Sequence, residues 1–252
     1  MLPLFVDWAR IGRRLRDAPS IALFLDFDGT LARLEAQPEQ VSLDGCVRHA
    51  LAALGRSSRF RVWIVSGRRQ ADIRARVGVP GIQYLGLHGW EGRAGASLAR
   101  DSESRLAAVL TCLDRRLALI PGVWIEDKTH ALTIHYRAAD ARGVTRARAV
   151  VDDVLAPHAL LLRLQRGKSV WEILPSELED KGAAVQRQLT TFGRRALPIY
   201  VGDDEGDEPA FRVLAHGITI RVGHGPGSCA RYRLTGVRQV RTFLNKLIAE
   251  IA

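Results

Sequence analysis

The chain is short of lysine, of cysteine and of long apolar runs, and each shortage excludes something. Of its 37 basic residues only four are lysines, at positions 128, 168, 181 and 246. A compact ammonium and a planar guanidinium do different work. A chain that supplies generic positive charge with arginine therefore marks Lys128, Lys168 and Lys181 as positions to watch. The three cysteines, Cys46, Cys112 and Cys229, are odd in number and far apart. They form neither a metal-binding spacing nor a disulfide framework, which favours a reducing compartment. No apolar run reaches the length of a membrane span, and the one in MLPLFVDWAR is too short for a secretory signal and is broken by Asp7. The expectation is a cytoplasmic monomer with no membrane partner. Also missing is a basic run interleaved with aromatics. The net charge is +10, but the arginines are scattered, and the densest cluster, RIGRRLRD, reads as a solvated helix face. No nucleic-acid partner is expected, and the excess charge suits a small anionic ligand.

What is present alternates. IALFLDF (21–27), RVWIVSG (61–67), IQYLGLHG (82–89), PIYVGDD (198–204) and GITIRVG (217–223) read as strands covered on both faces. Helical patterns fall at 4–17, 44–55, 69–77, 181–192 and 236–250. The pattern changes after Trp90. GRAGAS reads as a loop and SRLAAVLTCLDRRLAL as a helix. VWIEDK, ALTIHYR, LLLRLQRG and KSVWEILP follow as strands at hairpin spacing, with a helix over 139–155 among them. The predicted fold is α/β: a Rossmann-like, doubly wound parallel-sheet core from residues 1–90 and 179–252. Residues 91–178 form an inserted α/β cap with a mainly antiparallel sheet.

Three of the buried strands end in polar groups. The first runs into Asp26-Phe27-Asp28-Gly29-Thr30, the second into Ser66-Gly67-Arg68, and the fourth into Gly202-Asp203-Asp204, with Asp207 close behind. Lys181 opens the helix before the fourth strand. Ligands of open α/β sheets bind beyond the carboxyl ends of the strands, and buried carboxylates need a cation or donors. Several carboxylates with a serine and a lysine make sense around a divalent cation and a phosphate. Hard oxygen ligands select Mg²⁺, a carboxylate can attack phosphorus, and the hydroxyl and ammonium can hold the transferring oxygens.

DFDGTLA, SGR, DKG and GDDEGDEPAF, in this order, resemble the four motifs of the haloacid-dehalogenase-like phosphotransferases. That resemblance implies Asp26 as nucleophile and Asp28 as general acid and base. It implies Mg²⁺ held by Asp26, the Asp28 carbonyl, Asp203 and Asp207, and phosphate bound by Ser66, Gly67 and Lys181. Within the insert, EDK at 126–128, HYR at 135–137 and GKSVWEILP at 167–175, together with LHG at 87–89, resemble the trehalose-6-phosphate phosphatase family. The substrate implied is a small phosphosugar, with Glu126, Lys128 and Glu172 on the glucose hydroxyls and Arg137 and Lys168 orienting it. Strand alternation agrees, since it puts Glu126 and Lys128 on one face and Lys168, Val170 and Glu172 on one face. His88 either contacts substrate or completes a buried turn. The chain departs from the family pattern at Gly206, where Thr is usual, at Pro209, where an acid is usual, and at Leu87, where Asn often stands.

Overall fold

The apolar run IALFL lies in the interior of a seven-stranded parallel sheet because both of its faces are covered and every residue in it is buried. The computed structural model describes all residues except 36, 93–97, 193–194, 226 and 251–252. In chain order the elements begin with β1 (Leu2–Pro3), α1 (Trp8–Asp17), β2 (Ile21–Leu25), α2 (Gly45–Arg56), β3 (Phe60–Val65), α3 (Gln70–Val77) and β4 (Gln83–Leu85). Next come α4 (Arg100–Leu117), β5 (Trp124–Asp127), β6 (Leu132–His135), α5 (Ala141–Leu155), β7 (Leu162–Gly167) and β8 (Val170–Pro175). The chain closes with α6 (Lys181–Phe192), β9 (Leu197–Gly202), α7 (Glu208–Val213), β10 (Ile218–Val222), β11 (Tyr232–Leu234) and α8 (Val237–Ala249).

These form two compact units, Met1–Arg93 with Asp180–Ala252, and Ala94–Glu179. In the larger, the strand order is β1-β11-β10-β9-β2-β3-β4 and every pair is parallel. On one side of the sheet Leu23, Leu25, Val62 and Ile64 pack with residues of α2 and α8. On the other, Phe24, Trp63 and Tyr200 pack with Val185 of α6 and Phe211 of α7. Two apolar clusters, one per face, are why these strands show no polar alternation. From β2 the chain moves outward through β3 and β4, then returns to pair β9 on the other side of β2. The strand order therefore reverses between β2 and β9, the position where ligands of such sheets bind.

The smaller unit is an antiparallel sheet, β5-β6-β8-β7. Ile125, Ile134, Trp171 and Ile173 pack with residues of α4 and α5. Alternation turns Trp124, Glu126, Thr133, His135 and Glu172 to the opposite face. A parallel sheet with helices and a separate antiparallel sheet is the fold class that the sequence predicts.

Local details differ. The strand expected over 82–89 stops at Leu85, and Leu87–Gly89 is a 3₁₀ turn. Lys168 lies outside the strand on which it was expected to share a face with Val170 and Glu172. Gly167 pairs with Val170, leaving Lys168 and Ser169 as a two-residue hairpin turn. The first helix begins as a 3₁₀ turn over Leu4–Asp7. The strands β1 and β11 and the six-residue α7 were not anticipated, being too short to show a period. The expected GRAGAS loop falls, apart from Gly92, outside the described residues. Among the described residues no helix is long and apolar enough to cross a membrane.

Candidate active site

Asp26 follows β2 directly, and its N–H donates to the Val201 carbonyl of β9 at 2.9 Å, so the sheet ladder itself fixes its backbone. Asp203 and Asp207 come from the segment after β9. One ligand oxygen from each of the three aspartates lies within 4.8 Å of the others, and all three residues are buried. Lys181, the first residue of α6, points its Nζ between them, 2.8 Å from Asp26 Oδ1 and 2.7 Å from Asp207 Oδ1. Two glycines make this approach possible. A Cβ on Gly29, whose φ is +80°, would collide with the Asp203 carboxylate, and one on Gly202 would collide with that of Asp207.

Three carboxylates around one ammonium leave two negative charges over, the charge of one divalent cation. Burial, joined by the charges of Asp207, Asp203 and Asp204, pushes the Asp26 carboxyl well above the usual carboxylate range against the opposing charge of Lys181. A nucleophilic carboxylate has to be ionised, so the cluster calls for more positive charge than Lys181 supplies. The all-oxygen donor set fits a hard cation such as Mg²⁺. Burial works against the Lys181 ammonium too, but Asp207 and Asp26 outweigh it and hold its pKa well above that of an ordinary lysine.

Asp207 is engaged on both oxygens. Oδ1 accepts from Lys181 Nζ and from the Tyr200 hydroxyl, both at 2.7 Å; Oδ2 accepts from the N–H groups of Asp203 at 2.8 Å and Asp204 at 3.0 Å. Burial raises its pKa, but Lys181, the Asp204 N–H and Tyr200 together hold it below the usual value. Four donors fill its four acceptor positions. Asp207, an expected metal ligand, contributes an oxygen to the acidic cluster while it braces Lys181 and the Asp203–Asp204 backbone.

Ser66 follows β3 directly, with its N–H donating to Leu85 O at 3.0 Å and its Oγ accepting from Arg68 N at 3.1 Å; Gly67 forms the bend between them. Arg68 grips Asp28 by both oxygens, Nε to Oδ2 at 2.7 Å and Nη2 to Oδ1 at 2.8 Å. Nη1 donates to Asp72 of α3 at 2.9 Å. Such a fork fixes the plane of a carboxylate as a lysine could not. His88 is buried in the Leu87–Gly89 turn at φ 60°, and its N–H donates to Ser66 O at 2.9 Å. It therefore joins the second strand end by its backbone.

The remaining expected residues lie in the smaller unit. Lys128 Nζ donates to Glu172 Oε1 at 3.0 Å, and Thr133 Oγ1 reaches the same oxygen at 3.4 Å. Glu126 Oε2 is 2.9 Å from His135 Nε2. Arg137 Nη2 donates to the Lys168 carbonyl at 3.3 Å, which ties the end of β6 to the hairpin turn. The sequence motifs include Arg68 and His135 without giving either a role, and they do not reach Tyr200 or Thr133. Tyr200 carries no local signal, because it reads as one more apolar residue of a buried strand.

Residues 24–236 match the family model described as trehalose-phosphatase. The chain is 32% identical over 268 residues to a protein of Oryza sativa subsp. japonica named probable trehalose-phosphate phosphatase 9, covering 90% of this chain and 70% of that one. It is 34% identical over 245 residues to the trehalose-phosphate phosphatase of Mycobacterium tuberculosis, covering 91% of this chain and 62% of that one. The chain thus spans less than two thirds of the mycobacterial relative. The C-terminal domain of Candida albicans trehalose-6-phosphate phosphatase shares the fold, with a TM-score of 0.83 at 21% identity over 96% of each chain. The family match begins inside β2 and ends just before α8, so it takes in each strand end described above and the whole antiparallel sheet. The chain belongs to the trehalose-phosphatase family of phosphoric monoester hydrolases.

Proposed function

We propose that this chain hydrolyses trehalose 6-phosphate to trehalose and inorganic phosphate, the last step of trehalose biosynthesis, through an aspartyl-phosphate. The Asp26 carboxylate attacks phosphorus, and the bond from phosphorus to the sugar oxygen breaks. The leaving oxygen keeps the electron pair and takes a proton from the Asp28 carboxyl, which releases trehalose. Asp28, now ionised, accepts a proton from water as the water oxygen attacks the phosphoryl group on Asp26. Phosphate leaves, and both aspartates return to their starting states. Arg68 keeps the Asp28 carboxylate in one plane, while each of its oxygens retains a second lone pair for the proton.

Ser66, Gly67 and Lys181 bind the phosphoryl oxygens. Asp26, the Asp28 carbonyl and Asp203 would hold Mg²⁺, which when bound neutralises charge on the phosphoryl oxygens. Asp207 serves behind them by holding Lys181 and the Asp203 backbone. The smaller unit, comprising the antiparallel sheet, is the cap, where Glu126, Lys128 and Glu172 meet glucose hydroxyls and Arg137 and Lys168 orient the phosphosugar.

The observation that carries this reading is the cluster of Asp26, Asp203 and Asp207 at the sheet's switch point, with Lys181 bridging Asp26 and Asp207. Phosphate release from trehalose 6-phosphate, with and without Mg²⁺ and beside a panel of other phosphosugars, tests it. Mg²⁺-dependent release with trehalose 6-phosphate preferred is expected. Better turnover of another phosphosugar would reassign the substrate, and undiminished turnover in a chelator would remove the metal.

A further inference from the structure

Trp124 is 41% exposed, whereas Trp63, Trp90 and Trp171 are buried. It begins the edge strand β5 and lies outside the apolar cluster between the sheet and its helices. A large ring left at a surface is the kind of exposure that asks for a reason. Strand alternation turns it to the same face as Glu126, Thr133, His135 and Glu172. There it stacks on His135, its cross-strand partner, with ring centroids 3.9 Å apart and planes 6° from parallel. His135 Nε2 in turn meets Glu126 Oε2 at 2.9 Å. Beyond Glu126 the same face continues to Thr133, Glu172 and Lys128. One sheet face thus carries an aromatic stack at its edge, then carboxylates, a hydroxyl and an ammonium.

A pyranose ring has the matching anatomy, with hydroxyls around its rim and an apolar patch of C–H groups on its face. Sites of this kind combine an aromatic wall with a few oriented polar groups. We propose that the Trp124–His135 stack is a platform on which a glucose ring of the substrate lays its C–H face, while Glu126 alongside accepts from the ring's hydroxyls. This inference rests on the reading of the chain as a trehalose 6-phosphate phosphatase. The stack holds the indole plane in place before the sugar arrives, so little ordering remains to be done on binding. Trp124 then contributes to recognition of the sugar and not to the chemistry at phosphorus.

Steady-state kinetics and calorimetric titration with trehalose itself test the platform. Trp124→Ala is expected to raise KM for trehalose 6-phosphate and to weaken trehalose binding, each about tenfold, with kcat within about twofold of wild type. Trp124→Phe, which keeps a ring, should recover most of both losses. Hydrolysis of p-nitrophenyl phosphate, which has no sugar, should be the same in all three proteins. Unchanged KM and trehalose affinity in Trp124→Ala would overturn the platform, as would a parallel loss with p-nitrophenyl phosphate. If the wild type did not turn over trehalose 6-phosphate but bound trehalose, and Trp124→Ala lost that binding, the function would fall and the platform stand. If the wild type bound no trehalose, the platform would fall, whatever the kinetics.

Discussion

The two units carry polar clusters of opposite character. At the switch point of the parallel sheet, three buried carboxylates cluster, a single ammonium bridges two of them, and negative charge is left over. On the antiparallel sheet, Glu172 accepts from the Lys128 ammonium and Glu126 meets the His135 ring. An unbalanced cluster attracts a cation and, through it, a phosphate, at a cost in desolvation that a stability argument alone would not justify. The second cluster offers donors and acceptors already paired with one another, which suits a neutral polyol. The difference separates chemistry from selectivity, and substitutions can test that separation.

The largest effect is expected at Asp26. The Asp26→Asn protein should keep its fold and lose roughly 10⁴-fold or more in kcat with every phosphate ester, because the amide keeps the shape but is not a nucleophile. Beryllium fluoride should bind the wild type as an aspartyl-phosphate mimic and fail with this variant. Activity within tenfold of wild type would end the nucleophile assignment.

Lys181 comes next. Its ammonium fits between two carboxylates 2.8 and 2.7 Å away, where a longer planar guanidinium would intrude on the phosphate or the cation. Lys181→Arg should therefore lose about 10²–10³ in kcat, nearly as much as Lys181→Ala. The alanine variant should also lose about 3–5 kcal/mol of stability in chemical unfolding, since it strands buried charge. Near-normal turnover by Lys181→Arg would reduce Lys181 to a diffuse positive charge.

A smaller and selective loss is expected on the antiparallel sheet. Glu172→Ala or Glu126→Ala should cost about 10–100-fold in kcat/KM for trehalose 6-phosphate and little for p-nitrophenyl phosphate. A generic ester has no remote sugar from which binding energy could be drawn. Equal losses with both substrates would erase the distinction between the two clusters. The smallest effect should be at Lys246, whose ammonium lies 4.9 Å from the centre of the Trp8 ring. Arginine makes the same cation–π contact, so Lys246→Arg should leave kcat unchanged and stability within about 0.5 kcal/mol.

Much of this was legible in the linear chain. The apolar runs at 21–25, 62–65 and 199–201 read as strands covered on both faces, and each leads into polar residues that have to meet something. The scarcity of lysine singled out Lys128, Lys168 and Lys181; Lys128 and Lys181 make buried ion pairs, whereas Lys168 lies in a hairpin turn. Where periodicity was short, it misled. The apolar residues of LHG read as strand but sit in a tight turn whose backbone serves Ser66. Lys168 was counted on a strand face because alternation was extended one turn too far.

What the sequence by itself determined is which chemical groups stand at which strand ends, because alternation and apolar runs are local properties of the chain. Tertiary structure alone decided how those groups divide their work. Asp203 and Asp207 are equivalent as letters, yet Asp207 has its four acceptor positions filled by Lys181, Tyr200 and two backbone N–H groups. Arg68 reads as the third residue of a short motif, but it closes on Asp28, forty positions earlier, through both oxygens. Trp124 stands in the strand-like run VWIEDK without a role of its own, and the register of β5 with β6 lays it on His135, outside the apolar cluster. Hydrogen-bond capacity is used up by whichever donors the fold brings within about 3 Å, and those donors are remote in sequence.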